Sequence, residues 1–203
     1  MLLKSRLIYL RFLRKSDAAR MFAAIEESRE ELEKYVIGPT RLHSVAEVEG
    51  MIARARILRQ KRQGYFLGIF TARDRQFAGY VNIHAVNERS RSGEVGYWVR
   101  TSCSGRGLAT AAAALIVLFG FKELKLHRLV LRAASDNPAS WRIAERLGFI
   151  YDGIQRHEQL MPRGYIDLKC YSMLEDEFRR LRPLLMRIAQ GSQDRAADRR
   201  TRT

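Results

Sequence analysis

From Glu94 to Thr110 the chain reads Glu-Val-Gly-Tyr-Trp-Val-Arg-Thr-Ser-Cys-Ser-Gly-Arg-Gly-Leu-Ala-Thr. The spacing of Gly105, Arg106 and Gly107 ahead of the helix-forming run Ala109 to Ala114 suits the binding of an anion. A helix begun there leaves its first N–H groups without intrahelical partners, and its dipole favours negative charge at that end. Gly105 and Gly107 let the backbone come close to a ligand with no Cβ in the way, and Arg106 between them adds positive charge. The expected guest carries phosphate. Its cradle needs a strand through Val99, a turn from Thr101 to Gly107, and a helix starting at the alanines.

Several loops could fill this role. A Walker A loop requires a lysine after its last glycine, and none is present. Gly105-x-Gly107-x-x-Thr110 is a truncated dinucleotide fingerprint, with Asp136 as its ribose ligand. That fingerprint ends in Gly or Ala and has its acid about 20 residues on, and Asp136 lies well beyond. A cofactor-pyrophosphate loop of the form Gln/Arg-x-x-Gly-x-Gly/Ala is another reading. A plain glycine-rich turn between a buried strand and a buried helix also stays open.

The 203 residues suit one domain with a sizeable core. Hydrophobic content of 46% and charged content of 29% are globular values. No apolar run reaches the roughly 18 residues of a membrane span. The N-terminus alternates apolar with Arg and Lys and lacks a signal peptide's apolar core. Cys103 and Cys170 stand in unlike contexts and suggest neither a disulfide framework nor a metal site. A soluble cytoplasmic protein without metal or membrane partner is expected. The net charge of +15 attracts nucleic acid, ribosomes, anionic cofactors or acidic peptides, or serves solubility alone.

Along the chain, Leu7 to Phe12 reads as a first strand. Ser16 or Asp17 caps a helix to about Glu27, and Glu30 to Val36 forms a second, short helix before Gly38-Pro39. Ser44-Val45-Ala46-Glu47 is a capping box opening a helix that turns Val48, Met51, Ile52 and Ala55 inward. Tyr65 to Phe70, Phe77 to Val86 and the strand through Val99 then form an antiparallel meander, which does not favour a doubly wound sheet. After the glycine loop come a helix to Lys122, a strand Arg128 to Ala133, and a helix from Asn137-Pro138 to Gly148. Ile150 to Leu160 and Ile166 to Leu174 form a hairpin, and a helix from Glu175 to Ile188 contains Pro183. One domain over residues 1–189 and a disordered basic tail over 190–203 are expected.

This order, with five motifs, resembles the GNAT superfamily of acetyltransferases, and its RimJ/RimL branch in particular. The motifs are Leu7 to Asp17, Glu94 to Val99, Gly105-Arg106-Gly107-Leu108-Ala109, Asp136-Asn137-Pro138-Ala139-Ser140 and Arg146-Leu147-Gly148-Phe149. The resemblance covers about residues 5–178 and implies an α/β (α+β) fold: a mixed, largely antiparallel sheet flanked by helices, with strands splayed at an acetyl-CoA site. Two positions depart from the pattern. The Gln/Arg that opens the superfamily loop is Ser102, and the tyrosine that protonates the departing thiolate in many members falls at Ala144.

The resemblance further implies acetyl transfer from acetyl-CoA to an amine, which requires a neutral amine, a stabilised oxyanion and a protonated leaving thiol. Trp98, Val99 and Arg100 would offer backbone N–H groups to the pantetheine arm and the oxyanion. Gly105, Arg106, Gly107, Leu108, Ala109 and Thr110 would hold the pyrophosphate. Asn137 would contact the cofactor arm or simply cap its helix, and Arg146 would meet a CoA phosphate or only water. Ser140, one turn before Ala144, is the candidate acid. Glu94 and Glu158 are both candidates for the base, with His157 beside the latter. An α-amine, with a pKa near 7.7–8.0, needs little help from a base. The RimJ/RimL resemblance implies, as the acceptor, a protein N-terminus of ribosomal-protein type. A small amine or antibiotic is the alternative, as is a non-catalytic CoA-binding or ribosome-associated module; a homodimer is left open.

Overall fold

The computed structural model describes residues 2–191. Its strands are β1 (Leu2–Lys4), β2 (Ile8–Phe12), β3 (Tyr65–Thr71), β4 (Phe77–Asn87), β5 (Ser92–Val99), β6 (Arg128–Ala134), β7 (Ile150–Met161) and β8 (Gly164–Leu174). The helices are α1 (Ala18–Glu33), α2 (Val45–Gln60), α3 (Leu108–Lys122), α4 (Pro138–Leu147) and α5 (Glu175–Ala189). The strands make one eight-stranded sheet in the order β1-β2-β3-β4-β5-β6-β8-β7. Neighbours are antiparallel except β5 and β6, which run parallel. Among the described residues no helix is long and apolar enough to cross a membrane.

Helix α3 carries Ala, Leu, Ile, Val and Phe on all its sides and is accordingly buried nearly all round. It packs with α4 and α5 on one face of the sheet, against Val95, Leu129 and Leu131. Helices α1 and α2 cover part of the opposite face, over Phe70, Phe77 and Trp98. The two sets of core residues alternate along β5. Val95, Tyr97 and Val99 face α3, and Trp98 faces α1, as the two-residue repeat of a strand requires.

Local signals account for the start of α2 and both ends of α4. Ser44 Oγ accepts from Glu47 N at 3.2 Å to open α2. Asn137 Oδ1 accepts from Ser140 N at 3.2 Å, Pro138 occupies the first turn, and Gly148 at φ +84° closes α4. Three expectations need correction. Glu30 to Val36 is not a separate helix, because α1 runs unbroken to Glu33 with Met21, Ala24, Ile25, Ser28 and Leu32 as one buried stripe. Asp17 does stand at the N-cap of α1, but its side chain makes no cap bond; it is buried and accepts from both terminal nitrogens of Arg11 and from Arg14 N, each at 2.7 Å, tying β2 to the helix start. Strand β1 was not expected, and it pairs with β2 through Leu3 and Leu10. The expected tail lies from 192 onward outside the described residues. Gln190 and Gly191 close α5, where a Cβ on Gly191 would meet Leu7 at 2.8 Å.

Candidate active site

The parallel pairing of β5 with β6 begins at Ser92↔Arg128 and stops at Val95↔Leu131. Beyond it β5 continues to Val99 and β6 to Ala134, so the two strands splay and the sheet opens between them. The Arg100 N–H donates to Ala78 O on β4 at 2.9 Å. N–H groups two residues apart on a strand point the same way, so that of Trp98 also turns to β4 and those of Tyr97 and Val99 turn to the opening. Of the three expected donors, Val99 is the one so aimed. The Trp98 ring is buried beside Phe77, its Nε1 without a hydrogen-bond partner among the described residues.

The glycine loop follows directly. Gly105 and Gly107 take φ +73° and +74°, and no described atom lies within 4 Å of the place where either would carry a Cβ. Gly107 stands at the N-cap of α3, which among the described residues has no side-chain cap. The N–H groups of Leu108, Ala109 and Thr110 therefore face the loop, while the Leu108 and Thr110 side chains are buried beneath it. Arg106 is exposed. Left-handed glycines, open space and uncapped donors suit a pyrophosphate. Helix α1 holds the loop from below. Glu27 accepts from Ser102 N and Ser28 Oγ accepts from Thr101 N, each at 2.9 Å, and Glu27 also pairs with the Arg100 guanidinium. Arg100 and the Ser102 N–H pull the Glu27 carboxyl from its ordinary value to about 2, against a smaller opposing effect of burial.

Across the splay, on the α3 face, Tyr97 Oη lies 3.0 Å from Ser140 O and 3.2 Å from Ser140 Oγ. Burial pushes the Tyr97 hydroxyl well above the usual phenol range, with the Ser140 bond acting the other way. Ala144 is wholly buried in the core, so a side chain there serves packing in this protein. Arg146 is exposed at the far end of α4 from Asn137 and Ser140.

The candidate carboxylates lie on the other face. Arg132, just past the last β6 residue paired with β5, binds Glu94 through both oxygens at 3.1 and 2.8 Å. The same guanidinium reaches Glu158 on β7 at 3.0 Å and Gln155 at 3.2 Å. Glu94 and Glu158 are thus brought together, by an arginine that the sequence analysis did not single out. Glu94 and Arg132 line a cleft of about 430 Å³ whose walls also include Arg128, Gln155 and Cys170, and Glu158 reaches that arginine. His157, in a bulge of β7 at φ +52°, donates its N–H to Asp167 at 2.9 Å and stacks on Tyr165. A second polar file was also missed: Tyr80, Asn82 and His84 on β4, whose side chains are linked to one another. Its signal is the alternation of polar with apolar residues along a strand otherwise buried. The splay thus separates a hydroxyl pair on one face from a carboxylate cluster on the other.

The chain matches the family model "Acetyltransferase (GNAT) domain" over residues 6–150. It is a GNAT acetyltransferase. The chain is 28% identical over 174 residues to "Putative ribosomal N-acetyltransferase YdaF" of Bacillus subtilis (strain 168), covering 84% of this chain and 93% of that one. It is 32% identical over 161 residues to "Probable N-acetyltransferase YjcK" of the same organism, covering 76% and 87%. Among solved structures, Mycobacterium smegmatis RimJ in complex with CoA-disulfide has the same fold, with TM-score 0.83, 22% identity and 94% of each chain covered. The GNAT chain is RimJ/RimL-like and an N-acetyltransferase, and acetyl-CoA is its cosubstrate. Bound acetyl-CoA supplies the thioester carbonyl that an amine attacks.

Proposed function

We propose that this GNAT enzyme acetylates the α-amine of a protein N-terminus, with the two faces of the sheet dividing the work. The observation that carries the reading is the splay, with hydroxyls on one side and carboxylates on the other. Gly105, Gly107 and the first N–H groups of α3 hold pyrophosphate, and Arg106 adds charge. Asn137 fixes the start of α4 and so the place of Ser140. The Val99 N–H, aimed into the opening, stabilises the developing oxyanion. Ser140 Oγ delivers a proton to the leaving sulfur, with Tyr97 Oη behind it.

On the other face the amine enters the cleft beside Glu94 and Glu158. Glu94 spends both oxygens on Arg132, whereas Glu158 keeps one for a ligand. The cleft is open, which suits an extended chain end. The name of YdaF supports a ribosomal-protein acceptor. The net charge of +15 disfavours a polycationic one. The test is acetyl-CoA turnover with peptides of varied N-terminal residue, against spermidine and kanamycin. Turnover confined to the small amines would overturn the protein-acceptor reading.

A further inference from the structure

On the carboxylate face, His84 has a polar partner near each ring nitrogen. It lies directly across from Glu94 in the β4–β5 register, with Nε2 at 3.8 Å from Glu94 Oε1. Its Nδ1 is 3.0 Å from Asn82 Oδ1. Asn82 is itself buried, and its Nδ2 donates to Tyr80 Oη at 2.8 Å. With the amide nitrogen committed to Tyr80, Asn82 presents oxygen to the imidazole, so neutral His84 carries its hydrogen on Nδ1. The Nε2 lone pair is left facing the carboxylate side. A Cβ on Gly96 would fall 2.9 Å from Asn82 Oδ1, so the glycine opposite keeps room for this amide.

The backbone gives a second, independent sign. Strand β4 bulges immediately after His84: its register with β5 shifts between His84 and Asn87, and Ala85 takes φ +48°. A non-glycine residue in the left-handed region is an uncommon conformation that concentrates at functional sites. Bulges re-aim side chains beside such sites. Ala85 lines the same cleft as Glu94 and Arg132. Strand β7, which contributes Asp152 to Gln155 to the cleft, also bulges just beyond it, between Gln155 and Gln159.

We propose that His84 is the proton acceptor for the amine. As the amine nitrogen bonds to the acetyl carbonyl carbon, one of its N–H bonds breaks and an N–H bond forms at His84 Nε2. The carbonyl carbon loses its C–S bond. The sulfur departs with that electron pair and receives a proton from the Tyr97–Ser140 side. Glu94 stabilises the imidazolium so formed, and Arg132 and Glu158 are the other charged groups in the cluster. The His84 side chain is 40% exposed, enough to release its proton to water, and the hydroxyl pair recovers its own from solvent. Asn82 is a positioning residue, acting through the imidazole. The proposal rests on N-acetyl transfer at this splay and holds for a protein or a small-amine acceptor alike.

The experiment compares His84→Ala, His84→Gln and Asn82→Ala with the wild type, using acetyl-CoA and three acceptors: a Ser-Ala-Ala-Ala amide, spermidine and kanamycin. Acceptors that the wild type acetylates are carried forward, so failure of the peptide alone counts against the protein-acceptor reading and leaves the His84 comparison intact. Both His84 variants should lose about 10²-fold in kcat with acetyl-CoA affinity unchanged. Added imidazole should restore turnover to His84→Ala but not to Asn82→Ala, whose own imidazole still fills the place. A kcat near wild type in either His84 variant overturns the proposal. So does a loss in folded His84→Ala that imidazole does not relieve. If His84→Ala does not fold, His84→Gln decides by its kcat.

Discussion

Tyr97 Oη lies 3.2 Å from Ser140 Oγ and 3.0 Å from the Ser140 carbonyl oxygen, so one phenol engages both groups of a residue 43 positions away. The phenolic hydrogen can go to Ser140 Oγ, since either oxygen can be the donor in that pair. That arrangement leaves the serine hydrogen free to turn to the sulfur, with Tyr97 ready to replace it. Ser140→Ala should lower kcat about 10²-fold with acetyl-CoA affinity little changed. Tyr97→Phe should lower kcat as well. The double variant should lose less than the two single losses combined, because the groups act as a unit. Steady-state kinetics and calorimetry on the four proteins check this, and a wild-type kcat in Ser140→Ala removes Ser140 from the mechanism.

Gly107→Val places a β-branched side chain at φ +74° in the open space over the α3 N-terminus. Calorimetry should show acetyl-CoA affinity falling by tenfold or more, on the order of 1.4 kcal/mol. Circular dichroism should show the fold retained. Unchanged affinity in a folded variant would reject the loop as the pyrophosphate site.

Glu27 fastens the start of the same loop, and its carboxyl is lowered from 4.5 to about 2 by Arg100 and Ser102. A depressed carboxylate contributes its stability fully above its ordinary pKa and loses it as pH falls through the folded value. Glu27→Gln should therefore be less stable than wild type at pH 6. The gap should narrow as pH drops from 4.5 towards 2. Urea melts across that window read it out, and a gap that widens on acidification would exclude this role.

Gly79 takes φ +149°, and a Cβ there would stand 2.2 Å from the Trp98 carbonyl oxygen. Gly79→Ala must push β4 from β5 at the strand that borders the splay. It should cost about 1–3 kcal/mol of stability and lower acetyl-CoA turnover together with it. Thermal melts compared with Gly38→Ala, where no described atom lies within 4 Å, give the control. Equal Tm values for the two variants would contradict the close approach.

The charge of +15 makes a further expectation concrete. If the basic surface brings the enzyme to ribosomes, co-sedimentation should weaken steeply between about 50 and 200 mM salt as counterions are released. Binding that is absent, or that ignores salt, would leave solubility as the account of the arginines.

Much of the proposed cofactor side is legible in the sequence because its signals are local. Gly105 and Gly107 demand positive φ in a short loop, and Asn137-Pro138 with Gly148 marks both ends of α4, each within a few residues of chain. The alternation of β5 likewise assigns Tyr97 and Glu94 to opposite faces as soon as the strand is recognised. Other features needed the tertiary structure. Glu94, Arg132 and Glu158 come from three strands, and nothing local to any of them reveals that one guanidinium joins both acids. His84 gains its partners through the β4–β5 register and through a bulge that the run His84-Ala85-Val86 does not announce. The same holds for the parallel pairing that ends at Val95↔Leu131 and for the Tyr97–Ser140 contact across the gap it leaves. Backbone propensity and capping act over a few residues, whereas strand register and ion-pair geometry are decided by contacts between distant segments, and the chemistry of this site lies mostly in the second kind.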